Sequence, residues 1–206
     1  MSSFFIQTER VGLRRFLPAD LEPFARINSD PQVMEFLPQL LSLEECRDYM
    51  ERINGRIEIQ GFGFWAAEHL KDRQLMGFVG LTEVSYPTDF TPAVEIGWRL
   101  AVPYWGQGLA TEAARACLQF GFEQAKLQQI VSFTTPLNRR SRRVMQRLGM
   151  VYRGTFEHPL LPAGHRLRRH VLYSHSRDTF RCAGGFTGRS SEFSDVPRAG
   201  RSSGFE

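Results

Sequence analysis

Residues 95–112 read EIGWRLAVPYWGQGLATE, and their reading decides the fold. Val94, Ile96, Trp98 and Leu100 alternate with Glu95, Gly97, Arg99 and Ala101, which is the period of a strand over Ala93–Val102. Pro103 ends the alternation, and Trp105-Gly106-Gln107-Gly108-Leu109-Ala110 leads into an apolar helical pattern. Small residues in a turn let the backbone approach a bulky anion. A helix that starts right after such a turn aims free N–H groups and the positive end of its dipole at that anion. The stretch therefore reads as a strand that holds a reacting arm. After it comes a cradle, Gly106–Thr111, for the pyrophosphate of a coenzyme.

Downstream, Thr111–Lys126 is predicted as a helix with Ala110, Ala114, Cys117, Leu118 and Phe122 on its buried stripe. Ile130–Thr135 is a short β-branched strand stopped by Pro136. Asn138–Leu148 is a helix with Asn138 as N-cap and Gly149 as its stop. Met150–Phe156 and Leu167–Tyr173 form a last hairpin around the His158–His165 loop. Upstream, Phe4–Phe16 is a strand pair or one strand bent at Gly12, and Asp20 is expected to cap a first helix. Ser42-Leu43-Glu44-Glu45 is a capping box that opens a second helix. Gly61–Glu68 and Leu75–Val84 are strands joined by the polar turn Lys71–Gln74. Strands that begin antiparallel and then enter a strand–turn–helix–strand unit make a mixed sheet flanked by helices.

The 206 residues suffice for one buried domain, expected over 1–178. From Thr179 the composition turns Gly-, Ser- and Arg-rich without periodicity, so 179–206 reads as a weakly ordered tail. The net charge of +4 is too modest to argue for nucleic acid. Cys46, Cys117 and Cys182 form no CxxC pair, which suggests neither zinc nor a disulfide framework and fits a reducing cytoplasm. His165, His170 and His175 recur every five residues and would scatter on a strand, so no metal is expected. No signal peptide and no membrane span is expected.

The glycine turn lacks the third glycine of a dinucleotide fingerprint, where Thr111 stands, and the Gly-Lys-Ser/Thr of a P-loop. Its wider context does have a counterpart. With Ser29-Asp30-Pro31-Gln32-Val33-Met34, Glu95-Ile96-Gly97-Trp98, Tyr104–Glu112, Asn138–Ser141 and Arg147-Leu148-Gly149-Met150, the chain resembles the GNAT superfamily of acyl-CoA N-acyltransferases, most closely its RimJ/RimL-type branch. The resemblance covers about residues 5–177. It departs at Trp105, where Gln or Arg is usual in the phosphate loop, and at Met150, where Phe is common.

The resemblance implies an α/β fold of the α+β type. Its sheet is mixed and largely antiparallel, with a V-shaped splay between two central parallel strands. It implies acetyl-CoA as cosubstrate and no metal, with the acetyl group moving to a primary amine, either a protein N-terminus or a small molecule. Pantetheine would follow the backbone of Leu100, Ala101 and Val102. The pyrophosphate would take N–H groups from Gly106, Gln107, Gly108, Leu109, Ala110 and Thr111. Arginines after Asn138 are candidates for the ribose phosphate.

Glu95 is the candidate base, acting through water; a structural carboxylate paired with Arg99 or a loop N–H is the competing reading. The N–H of Ala101 or its neighbour is the expected oxyanion donor. Many members carry a Tyr acid seven residues after the Asn; here that position is Met145. Ser141 is then the candidate acid, with a structural serine on the helix surface as the competing reading, and Asn138 positions coenzyme or water unless it only caps its helix. A non-catalytic acyl-CoA-binding module is the alternative function, and the chain is expected to be a monomer or homodimer. Acceptor preference is expected to lie in Pro31–Ile59 and the His158–His165 loop.

Overall fold

The computed structural model describes residues 4–182, which fold around one sheet. Its first half comprises β1 (Ile6–Gln7), β2 (Val11–Arg14), β3 (Phe64–His69) and β4 (Gln74–Glu83). The second half comprises β5 (Val94–Leu100), β6 (Gln129–Thr134), β7 (Val151–Glu157) and β8 (Arg169–Ser176). The spatial order is β1-β2-β3-β4-β5-β6-β8-β7. Every pair is antiparallel except β5 with β6.

On one face lie α1 (Leu21–Asn28), the single turn α2 (Pro31–Met34) and α3 (Leu43–Gln60). The capping box sets the start of α3: Glu45 N–H donates to Ser42 Oγ at 3.1 Å and Ser42 N–H to Glu45 Oε2 at 2.7 Å. Phe78 of β4 packs there, its ring 6.4 Å from Phe24 of α1 and 6.2 Å from Tyr49 of α3. The opposite face carries α4 (Leu109–Glu123), with α5 (Arg139–Arg147) beside it. Leu109, Cys117, Leu118 and Phe120 of α4 are buried with Ile96, Val79 and Leu81 in the core. Glu95, Gly97 and Arg99 thus face the α1–α3 side, as the period of β5 predicts.

The splay is visible in the register. β5 and β6 share one Cα pair, Glu95 with Val131. Just beyond it, the buried Ser132 hydroxyl donates to the Ile96 carbonyl at 2.9 Å, and there the strands part. On its other edge β6 pairs with β8 along its whole length.

Of the two readings of Phe4–Phe16 the strand pair is found: the chain turns between β1 and β2, where the Glu112 carboxylate accepts from Thr8 Oγ1 at 2.6 Å and Arg10 N–H at 2.9 Å. Two local expectations are corrected. Asp20 does not cap α1 with its side chain. Its carboxylate is drawn to the buried Arg14 guanidinium, at 2.5 and 2.9 Å, and to Leu17 N–H. The tail boundary at Thr179 falls inside α6 (Arg177–Cys182), where Phe180 packs 5.2 Å from Phe122. The rest of that predicted tail lies outside the described residues.

Candidate active site

The opening of the V is one wall of a continuous cleft of about 560 Å³ between the helical layers. Each end has its own chemistry. One end is bordered by the loop before α4 and by α5; the other by α2, α3 and the α1–α3 face of β4 and β5.

At the first end, Gly106 and Gly108 have φ of +74° and +80°, a region costly for residues with a Cβ. Gly108 is the N-cap of α4, so Leu109, Ala110 and Thr111 begin the helix with N–H groups unused by it. Gly106, Gly108, Leu109, Ala110 and Thr111 all line the cleft. Arg10 holds the loop from behind. It donates to Gln107 O at 3.1 Å and pairs with Glu112 at 2.5 Å. Gln107 points its amide to Pro103 O at 2.7 Å and is not part of the cleft wall. Across from the loop, Arg140, Arg143 and Arg147 of α5 face the cleft. Arg140 stacks 4.3 Å from the Trp105 ring and pairs with Glu35 at 3.2 Å. Arg143 and Arg147 have no ion-pair partner among the described residues. A positive wall opposite a helix N-terminus suits a diphosphate.

The backbone of β5 narrows the expectation for the reacting arm. Ala101 N–H donates to Met76 O at 2.8 Å, across the β4–β5 ladder, so it is not available as an oxyanion donor. Alternation turns the peptide groups of Trp98 and Leu100 the other way, toward the splayed edge. The Leu100 carbonyl is already engaged, accepting from Trp105 Nε1 at 2.7 Å. Val102 opens a 3-10 turn, its carbonyl accepting from Trp105 N–H at 3.0 Å. Neither Ala101 nor Val102 lines the cleft, whereas Leu100 does. The indole of Trp105 thus serves as a local brace at a position where the family pattern has Gln or Arg.

Glu95 lies at the apex of the V, on the α1–α3 side, and lines the cleft. No hydrogen bond or ion pair engages its carboxylate among the described residues, so the expected rival, a pairing with Arg99, is not formed. Arg99 donates instead to Asn28 Oδ1. Burial of the Glu95 carboxyl, with no compensating partner, pushes its pKa up from 4.5 to about 8. It is a group able to accept a proton near neutrality.

Asn138 caps α5: its Oδ1 accepts from Ser141 N–H at 3.0 Å. That capping bond also fixes Ser141, whose hydroxyl has no protein partner among the described residues; both side chains line the cleft. Met145 is fully buried in the core, so the position where many relatives place an acid offers none here. Of the segments expected to face the acceptor, Gln32, Val33, Phe36, Leu37 and Tyr49 line the cleft, and no residue of His158–His165 does. Sequence reasoning missed the Ser132 bridge and the Arg10–Glu112 anchor. Both join residues far apart in the chain and carry no local signal.

Residues 10–151 match the family described as "Acetyltransferase (GNAT) domain". The chain is similar to the uncharacterized N-acetyltransferase YnaD of Bacillus subtilis (strain 168), 31% identical over 153 residues, 74% of this chain and 85% of that protein. Among solved structures it is similar to a GNAT-family acetyltransferase from Bacillus anthracis, with a TM-score of 0.72 and 27% identity, covering 85% of this chain and 99% of the other. It also shares its fold with the ribosomal-protein-S5-alanine acetyltransferase of Vibrio fischeri, with a TM-score of 0.67 and 18% identity, covering 86% and 97% of the two chains.

Proposed function

The chain belongs to the GNAT acetyltransferase family, whose members take their acetyl group from acetyl-CoA, and from that premise we propose that it acetylates a primary amine by direct attack in a ternary complex. The acceptor is a small amine or a protein N-terminus. The diphosphate of the coenzyme lies between the N-terminus of α4 and Arg143 and Arg147. The reacting arm runs into the V, along the splayed edge of β5. Glu95 takes the ammonium proton through a water molecule. The freed nitrogen attacks the thioester carbon; the C–N bond forms, the nitrogen gives its second proton to solvent, and the C–S bond breaks. Negative charge that builds on the carbonyl oxygen meets the N–H of Leu100, the neighbour of Ala101. The departing sulfur takes a proton that Ser141 is placed to deliver and solvent restores. Asn138 orients Ser141.

One observation carries this reading: an unpartnered carboxylate at the apex of the V, displaced toward neutral ionisation, faces the same cleft as the helix N-terminus. We further assign the chain to the RimJ/RimL-type branch, on its motif pattern, and to the cytoplasm, as monomer or homodimer. The test is thiol release from acetyl-CoA with a panel of amines. Turnover that Glu95→Gln reduces by about 10²–10⁴-fold is expected. Coenzyme binding with no turnover, unaltered by Glu95→Gln, would instead identify a binding module.

A further inference from the structure

The acceptor end of the cleft holds a second charged group, of opposite sign to Glu95. Arg99 follows Glu95 on the same face of β5 and also lines the cleft. Its walls there are Val33, Phe36, Leu37, Phe64 and the rings of Phe78 and Tyr49. The guanidinium carbon lies 5.1 Å from the Phe78 ring centre and 6.0 Å from that of Tyr49.

No carboxylate of the described residues comes within ion-pair distance of Arg99. Among the described residues its polar contact is a single bond, Nη1 to the neutral Asn28 Oδ1, and that bond fixes the plane of the fork. Nε is buried without a partner. Nη2 has no hydrogen-bond partner among the described residues either, and Arg99 lines the cleft. The hydroxyl of Tyr49, whose ring lies 6.0 Å from the guanidinium carbon, likewise has no hydrogen-bond partner among the described residues, and Tyr49 lines the same cleft.

A buried guanidinium keeps its charge, so leaving it without an anion is costly. Burial lowers its pKa from the ordinary value, with no carboxylate to offset the loss of hydration. Rings and one amide hold the cation in place without neutralising it. An arrangement of this kind is complete when an anion enters from the open side.

Resting on the reading of the site as an amine acetyltransferase, we infer that the acceptor is a small amino-carboxylic acid with an apolar side chain, its amine toward Glu95 and its carboxylate on Arg99 and the Tyr49 hydroxyl. The two ends of the acceptor then meet groups of opposite charge on one strand face, and the apolar walls take the side chain. A guanidinium and a phenol in an apolar pocket match a monoanion that accepts two hydrogen bonds. A protein N-terminus would bring a peptide carbonyl to the same place and leave the charge unpaired.

The experiment compares leucine and phenylalanine with their carboxamides, as acceptors and as ligands. Acetyl transfer is followed by thiol release at saturating acetyl-CoA. Binding is followed by calorimetry of the CoA-loaded protein with N-acetyl-leucine and N-acetyl-leucinamide, which requires no turnover. The acid is expected to exceed the amide by at least tenfold in kcat/KM and in affinity. Arg99→Gln should bring both ratios to near one, Arg99→Lys should keep part of them, and Tyr49→Phe should lower them several-fold. Equal use and equal binding of acid and amide by the unaltered protein would overturn the inference, as would a ratio that survives Arg99→Gln. If Arg99→Gln does not fold, the unaltered protein and Tyr49→Phe still decide. Selective acid binding without any acetyl transfer would support this inference and overturn the proposed reaction; transfer without discrimination would do the reverse.

Discussion

Replacing Glu95 by Gln should lower activity and raise alkaline stability together. The carboxyl ionises at about 8 in the folded protein against 4.5 in an unperturbed setting. Only about one tenth of the molecules carry the base at pH 7, and about nine tenths at pH 9. kcat/KM should therefore rise close to tenfold per pH unit up to about 8 and then level. The acceptor must not titrate in the same window and must bring a proton for Glu95 to take, so the profile is taken with an amine whose own pKa lies above about 10. Glu95→Gln should remove the rising limb and cost about 10²–10⁴-fold on the plateau. At pH 6 the loss should be about a hundredfold smaller, because only about 1% of the unaltered protein carries the base there.

The stability sign is opposite. A carboxyl whose folded pKa is raised costs nothing below its unfolded value, costs progressively more between about 4.5 and 8, and costs a constant amount above that. At about 1.4 kcal/mol per tenfold in proton affinity the ceiling is ~5 kcal/mol, and the open side toward the cleft reduces this to about 2–3 kcal/mol. Glu95→Gln should accordingly melt several degrees above the unaltered protein at pH 9 and level with it near pH 4.5. A variant that keeps the rising limb, or melts no higher at pH 9, would refute the reasoning.

Other perturbations separate the remaining parts. Gly108→Val forces a β-branched residue into φ +80° at the head of α4; a Cβ there meets only Arg10 Nη2, at 3.7 Å, so strain and not crowding should weaken coenzyme binding at least tenfold by calorimetry. Arg143→Ala and Arg147→Ala should each raise the KM for acetyl-CoA several-fold and flatten its salt dependence, with smaller effects on kcat. Arg14→Met leaves Asp20 and Glu68 buried beside an apolar side chain and should cost about 3–5 kcal/mol in chemical denaturation. Removal of residues 183–206, with Phe180 kept on Phe122, should leave the far-ultraviolet spectrum and melting temperature unchanged, whereas a cut before Phe180 should lower the melting temperature.

The fold was legible because its deciding signals are local. The alternation from Val94 to Leu100, the glycine turn, the Ser42–Glu45 capping box and the Asn138 cap each bring their own hydrogen-bonding logic, and each is found where the chain predicts it. What was not legible depends on which peptide edge faces which neighbour. The pairing of Met76 with Ala101 decides that Ala101 N–H is engaged, and only the register shows it. Asp20 could not be assigned by its place before α1, because Arg14, drawn in from β2, competes for its carboxylate. Arg99 read as a structural partner for Glu95, whereas Asn28, Phe78 and Tyr49 from three other elements surround it.

The central claim is that the carboxylate at the apex of the V drives acetyl transfer to an amine held in the same cleft. Its most direct test is an acceptor screen with acetyl-CoA at pH 8.5, reading thiol release and acetylated product together by mass spectrometry. Stoichiometric product and thiol with at least one amine, lost in Glu95→Gln while acetyl-CoA still binds, is the predicted result. Saturable acetyl-CoA binding with no acetylated amine, or equal product from Glu95→Gln, would contradict it.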